Sequence, residues 1–296
     1  MKLILLCLLP FCLYGLVYDC FPFFNELELL QVRFAELDET VDYFVLVESV
    51  ETQRGDLKPL FFKENKHLFE KYLPKVIHVI IDERHPEMGL WEREHYQRNA
   101  MMRALEKRAT SSDVVIISDL DEIPRGTVIA ALKQAVSNSS PISVKVPPFT
   151  SKKAKKKYKK RYAPLKAYAL EMDNYYYQLN RQTSTKETWD GGMWCGTIMT
   201  TYAQLKKRSP QYFRKRRNKL PRIAQGGWHF SWMGGKDKIR QKLVSVVEGR
   251  SDGALVTDEE IAAWIAKHPA VPLDDSFPKY ILEKQDHFRS IGFLAD

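Results

Sequence analysis

The sequence predicts an α/β layer fold with parallel strands. Two observations predict it: short β-branched or aromatic runs alternate with helix-like segments through the first half, and the third run ends abruptly in a group of carboxylates. The runs are Val41 to Val47 (VDYFVLV), Val76 to Ile81 (VIHVII) and Val114 to Ile117 (VVII). They are apolar almost throughout, as strands of a parallel sheet covered on both faces are. At 296 residues and 44% apolar, with no low-complexity linker, the chain suits one catalytic domain over residues 17–296.

Between Asn25 and Leu37, apolar residues at 27, 30, 34 and 37 recur at helical spacing, with Asn25 placed to cap the first turn. Trp91 to Arg108 reads as a second helix with Met101, Met102 and Leu105 toward the core. Pro124 fits the first turn of a helix running through Val136. The pattern then loosens into prolines at 147 and 148, a lysine run, tyrosines at 175 to 177 and glycines at 191, 192 and 196. Such loop-rich stretches are where binding sites are commonly built. Order returns at Lys236 to Val247, with a stripe of Ile239, Leu243, Val246 and Val247, and at Thr257 with Glu260, a capping box for a helix through Lys267.

Met1 and Lys2 precede an apolar stretch from Leu3 to Leu16, the arrangement of a secretory leader over residues 1–16. A buried first strand and a short uncleaved membrane anchor are the alternatives. The leader implies a secretory or exported location, with membrane association through the same segment if it is retained. It also contains Cys7 and Cys12, leaving Cys20 and Cys195 as two buried free thiols or one pair. Asn138-Ser139-Ser140 is a glycosylation sequon.

Residues 152–161 (KKAKKKYKKR) hold eight basic side chains and residues 206–222 nine, with no acidic residue in either. These seventeen charges exceed the net charge of +9, so the rest of the chain carries a balance of −8. Basicity belongs to two segments and not to the fold, which disfavours a nucleic-acid-binding protein. The lysine run has no fixed apolar face, and the same charges would suit an anionic membrane surface or an acidic glycan.

The most informative stretch is Val114 to Pro124 (VVIISDLDEIP). In an extended chain Asp119 and Asp121 project to one side while Leu120 turns inward. Two carboxylates at a sheet's carboxyl edge repel unless a cation lies between them. A divalent ion such as Mn²⁺ or Mg²⁺, also bound to a diphosphate, meets that need. The competing reading is an acidic turn at the N-terminus of the helix near Pro124. A phosphatase of the haloacid type would place Thr where Ile123 stands.

At these residues the sequence resembles glycosyltransferase family 17. The resemblance rests on Tyr18 to Glu26 (YDCFPFFNE), Asp42 to Ser49 (DYFVLVES), Lys58 to Leu60 (KPL), Phe62 to Asn65 (FKEN), Gln97 to Asn99 (QRN), Ser118 to Pro124 (SDLDEIP), Gly227 to Ser231 (GWHFS) and Lys279 to Leu282 (KYIL). It implies a single GT-A-like domain, a Rossmann-like mixed sheet with flanking helices. It further implies a UDP-sugar donor, UDP-N-acetylglucosamine first, a divalent cation, and inverting transfer to a sugar hydroxyl of a glycan or glycoprotein. The lysine run at 152–161 departs from the family pattern.

On that reading Asp121 is a direct metal ligand and Asp119 serves the metal or the ribose. His229 is a further metal ligand or a structural histidine. Arg98 binds donor phosphate or pairs with Glu94, one turn earlier. Asp19, Phe21 and Glu48 follow early strands where base and ribose would lie, although Phe21 is equally a core residue. The general base is assigned to Asp190, among aromatic neighbours, with Glu94 and Glu122 as competitors. The rival functions are a basic nucleic-acid- or glycan-binding protein, a metal-dependent sugar-nucleotide hydrolase, and a lectin.

Overall fold

The computed structural model of the protein describes residues 15–137, 140, 142–183 and 193–295. Nine strands form one sheet: β1 (Val17–Phe23), β2 (Tyr43–Ser49), β3 (Val76–Ile81), β4 (Val114–Ile117), β5 (Glu122–Pro124), β6 (Tyr168–Tyr176), β7 (Gln182–Thr183), β8 (Ile198–Thr201) and β9 (Arg222–Ser231). Their order is β3-β2-β1-β4-β8-β6-β9-β5, with β7 on β6. β1 to β4 are parallel neighbours, as the apolar runs of β2, β3 and β4 predict. β8 then runs antiparallel to β4 and β6, and β9 parallel to β6, so the sheet is mixed. The expected α/β arrangement of a Rossmann-like mixed sheet with flanking helices is thus the observed one.

Apolar clusters fill both faces. One gathers Phe21, Phe34, Phe44 and Ile116 under the helix Leu27–Leu37. The other packs Val45, Val47, Val115 and Ile117 against Met101 and Leu105. Burying side chains of this size contributes roughly 1.5–3 kcal/mol each.

Several elements differ from expectation. Pro124 ends β5, and the next helix runs Gly126–Ser137, because Glu122 to Pro124 pair with β9 instead of starting a helix. The Trp91 to Arg108 pattern forms two helices, Leu90–Asn99 and Met102–Arg108. Asn25 does not cap through its side chain, which donates to Gln241. The capping box at Thr257 and Glu260 is present at the helix Asp258–Ala266. Cys20 and Cys195 are buried and form no disulfide with each other.

The lysine run folds as the helix Lys152–Tyr162, capped by Ser151 Oγ accepting from Ala154 N at 3.1 Å. It does have an apolar edge: Ala154, Tyr158 and Tyr162 share one face at i, i+4 and i+8, and the two tyrosine rings lie 4.9 Å apart. In the second basic segment Arg214 and Arg222 turn inward and are buried. Binding to an anionic membrane surface through these segments is not supported. The membrane-associated location is likewise corrected: no helix among the described residues is long and apolar enough to cross a membrane. Residues 1–14 and the sequon residues Asn138 and Ser139 lie outside the described residues.

Candidate active site

The chain leaves β4 at Ile117 and turns through Ser118 to Asp121 before pairing again as β5. A tight turn exposes backbone carbonyls, and here one buried cation collects them. Arg33, on the helix Leu27–Leu37, donates from its Nη1 to the carbonyl oxygens of Asp119, Leu120 and Glu122 at 3.0, 3.0 and 2.9 Å. Its other edge donates from Nη2 to Ser118 Oγ at 2.6 Å and from Nε and Nη2 to both Asp19 oxygens at 2.7 and 2.6 Å. Arg33 and Asp19 are both fully buried, and the guanidinium sits 4.4 Å from the Phe21 ring centre.

This arrangement corrects three expectations. Asp19 and Phe21 have no exposed surface to offer a nucleotide; they hold Arg33, which holds the turn. Glu48 is also fully buried, accepting from the backbone of Phe62 and Lys63 at 2.8 and 3.3 Å and lying 3.0 Å from His78 Nε2. It caps the short helix Phe61–Glu64 instead of meeting a ribose. Arg33 was missed in the sequence, yet a signal was there: a charged residue falls between Leu30 and Leu37 on the apolar stripe of its helix.

Asp119 and Asp121 line the same cavity, of about 630 Å³, but have different partners. Arg98 donates to Asp119 Oδ1 at 2.7 Å and Arg214 to Oδ2 at 2.5 Å. Burial works to raise the pKa of this carboxyl, but the two guanidiniums hold it well below the usual range. Each Asp119 oxygen accepts a bond from a guanidinium, while the side chain stays 32% exposed and lines the cavity. Arg98 also donates to Glu94 and is buried behind these two carboxylates, outside the cavity lining.

Arg214 donates from Nη1 and Nη2 to Glu122 as well, at 2.8 and 2.7 Å, and Trp194 Nε1 adds a bond of 2.6 Å. Glu122 is fully buried and accepts from Asp119 N at 2.9 Å, which removes it as a general base. Gly196 lets this cluster close, because a Cβ there would overlap Glu122 Oε1 and Trp194 Nε1. Gly196→Ala is therefore expected to cost about 1–3 kcal/mol of stability through overpacking. A thermal melt unchanged from the parent would refute that.

His229 comes from the far end of the chain. β9 pairs with β5 so that His229 stands opposite Glu122, and with β6 so that it neighbours Asn174. Gly227, at φ 154°, permits this approach, since a side chain there would strike the carbonyl of Ile123. Asn174 Oδ1 is 2.8 Å from His229 Nδ1, a contact that a proton on Nδ1 satisfies, and His229 Nε2 lies 3.8 Å from Asp121 Oδ1. The ring stacks on Trp194 at 4.5 Å and 16°. Burial lowers its pKa more than Asp121 and Glu122 raise it, favouring the neutral imidazole.

Asp121 Oδ1 and His229 Nε2 are therefore an oxygen and a nitrogen donor facing one cavity. No group of three His, Cys, Asp or Glu able to hold a metal occurs among the described residues. The pair fits a divalent ion whose other positions are filled by phosphate oxygens and water, as Mg²⁺-type sites often are. Lys58, Arg217 and Lys242 supply positive charge on the cavity wall, and Trp91 and Trp232 supply apolar faces. Glu94 also lines the cavity, its Oε1 accepting from Arg98 and its buried Oε2 3.5 Å from His95 Nε2. Asp190 lies outside the described residues.

Residues 14–196 match the family model Glycosyltransferase family 17. Over 116 residues the chain is 36% identical to the human and rat beta-1,4-mannosyl-glycoprotein 4-beta-N-acetylglucosaminyltransferases. Those alignments cover 37% of this chain and 22% of the relatives' length. Among solved structures, the mannosyltransferase PcManGT from Pyrobaculum calidifontis, in complex with GDP-Man and Mn2+, aligns at TM-score 0.39 and 14% identity, over 95% of this chain and 72% of that one. Mouse xyloside xylosyltransferase 1, apo form, aligns at TM-score 0.29 and 10% identity, over 95% and 94%. Likeness at that level leaves the site to be argued from this chain's own residues.

Proposed function

The chain belongs to glycosyltransferase family 17, and from that premise we propose that residues 17–296 form a metal-dependent, inverting catalytic domain. Its donor on this reading is UDP-N-acetylglucosamine, and its acceptor a sugar hydroxyl of a glycan, of the β-mannose N-glycan kind that the names of its relatives suggest. The observation that carries the reading is the Asp121–His229 pair on a cavity walled by Lys58, Arg217 and Lys242. A cavity of about 630 Å³ lies in the range of small-ligand sites.

Mn²⁺ or Mg²⁺, held by Asp121 and His229, would neutralise charge growing on the leaving diphosphate. The protein's part is placement. Asn174 and Trp194 fix the imidazole so that Nε2 faces the metal position. Arg33 sets the turn that carries Asp121, and the Asp119 cluster with Arg98 and Arg214 braces it from the side. Trp91 and Trp232 offer apolar faces to sugar rings. A carboxylate must accept the proton of the attacking hydroxyl, and Glu94 is the described residue we assign, beside the expectation on Asp190.

Calorimetric titration with UDP-N-acetylglucosamine, with and without Mn²⁺, tests the donor and metal together. Manganese-dependent binding is expected. Absence of binding by a folded sample would overturn the proposal. A second reading, sugar-nucleotide hydrolysis, is separated by product analysis: release of free sugar regardless of the glycan supplied would favour it over transfer.

A further inference from the structure

The carboxylate assigned to the metal already has a cation on it. Lys242, on the helix Gly235–Ser245, places Nζ 3.1 Å from Asp121 Oδ2 and 3.6 Å from Glu26 Oε1. Its side chain is 18% exposed and lines the cavity. Its ammonium lies 5.6 Å from the ring centre of Trp232. Trp232 itself adopts a left-handed backbone, φ 61°, a conformation that costs a bulky residue energy and tends to persist where neighbours over-determine it. Two glycines with positive φ, Gly234 and Gly235, follow and start the helix that carries Lys242. The ammonium thus rests between two carboxylates and an aromatic face, on a flexible four-carbon stem, at the edge of the space a diphosphate would enter.

We propose that Lys242 is a tethered counter-ion that keeps divalent metal off Asp121 until the donor's diphosphate arrives. Resting on the metal-site reading above, the argument is electrostatic. A divalent ion at Asp121 and His229 would meet a fixed positive charge hydrogen-bonded to its own ligand, and the repulsion lowers metal affinity in the nucleotide-free protein. An incoming diphosphate offers that ammonium a second anionic partner inside the same cavity. When Lys242 turns to it, Asp121 Oδ2 is released and the repulsion is offset by the phosphate charge. Metal and nucleotide then bind with positive coupling, each raising the affinity of the other by the same factor. Lys242 is a positioning residue in this scheme: it acts through Asp121 and the donor phosphates.

The test measures Mn²⁺ affinity directly, by electron paramagnetic resonance of free Mn²⁺, with and without UDP, in the parent, Lys242→Met and Lys242→Arg. Methionine keeps an apolar stem against Trp232 and loses the charge; arginine keeps the charge. Thermal melts confirm that each variant is folded. The parent is expected to bind Mn²⁺ weakly alone and about tenfold or more tightly with UDP, within the usual span of coupling between sites. Lys242→Met is expected to bind Mn²⁺ alone about tenfold more tightly than the parent, with a smaller gain from UDP, the remainder coming from phosphate oxygens on the ion, and Lys242→Arg to behave as the parent. Equal Mn²⁺ affinity in the parent and Lys242→Met without UDP would overturn the counter-ion role while leaving the metal site standing. Failure of all three to bind Mn²⁺ even with UDP would overturn the metal site and this role with it.

Discussion

Asp121→Ala is expected to lower the transfer rate by about 10²–10³-fold, the usual scale for removing one preorganised electrostatic contact to a transition state, with little loss of stability. The reason lies in how the residue is held. Its backbone carbonyl accepts from Phe230 N at 2.8 Å, a bond that alanine retains, and the turn around it is fixed by Arg33 through carbonyls of other residues. The side chain meets only groups at the cavity: Lys242, which keeps Glu26 at 3.6 Å as a partner, and His229, which keeps Asn174. Transfer rates with Mn²⁺, measured beside urea denaturation, check both halves. A variant as active as the parent would remove Asp121 from the chemistry, and a large drop in urea midpoint would show that its role is structural.

The opposite profile is expected for Arg33→Met. Losing the guanidinium leaves Asp19 as an unpaired carboxylate at zero exposure, a defect that typically costs about 3–5 kcal/mol. Three carbonyls of the turn at residues 118–122 lose a donor at the same time, Asp119 O keeping Glu122 N and Glu122 O keeping Thr197 Oγ1. The urea midpoint is expected to fall accordingly, with transfer reduced even where the protein is folded. Adding Asp19→Leu to Arg33→Met removes the buried charge, so stability is expected to recover in part. Transfer is not, because no side chain restores the bonds to Asp119, Leu120 and Glu122. Recovery of full transfer in the double variant would show that Arg33 does not position the turn.

Much of the frame was legible along the chain. The apolar runs at 41–47, 76–81 and 114–117 became the parallel strands β2, β3 and β4, and the carboxylates after the last of them line the cavity. The alternation that predicts strands and the edge where their carboxyl ends meet are local properties of sequence. His229 was also reachable, as a histidine between aromatics after a glycine pair, and β9 brings it to Asp121.

Partner choice was not legible. Asp19 and Glu48 had the residue type of a nucleotide site, and Arg98 that of a phosphate clamp, but type does not say which neighbour a charge finds. Asp19 went to Arg33, Glu48 to a helix N-terminus and His78, and Arg98 to Glu94 and Asp119. Glu122 was taken by Arg214, from a segment 92 residues away that reads by composition as a solvated basic run. The lysine helix shows the same limit in reverse, since its apolar edge became visible only once Tyr158 and Tyr162 had something to pack against.

Periodicity, and the points where apolar runs stop, are enough to specify the α/β class, the parallel strands and the cluster of acids at one sheet edge. Contacts between distant segments place Asp119, Asp121 and His229 on the cavity and bury Asp19, Glu48 and Glu122 against partners inside the protein. A buried charge must take an opposite charge or a set of donors from wherever the fold brings them, and that pairing is a property of contacts between distant segments.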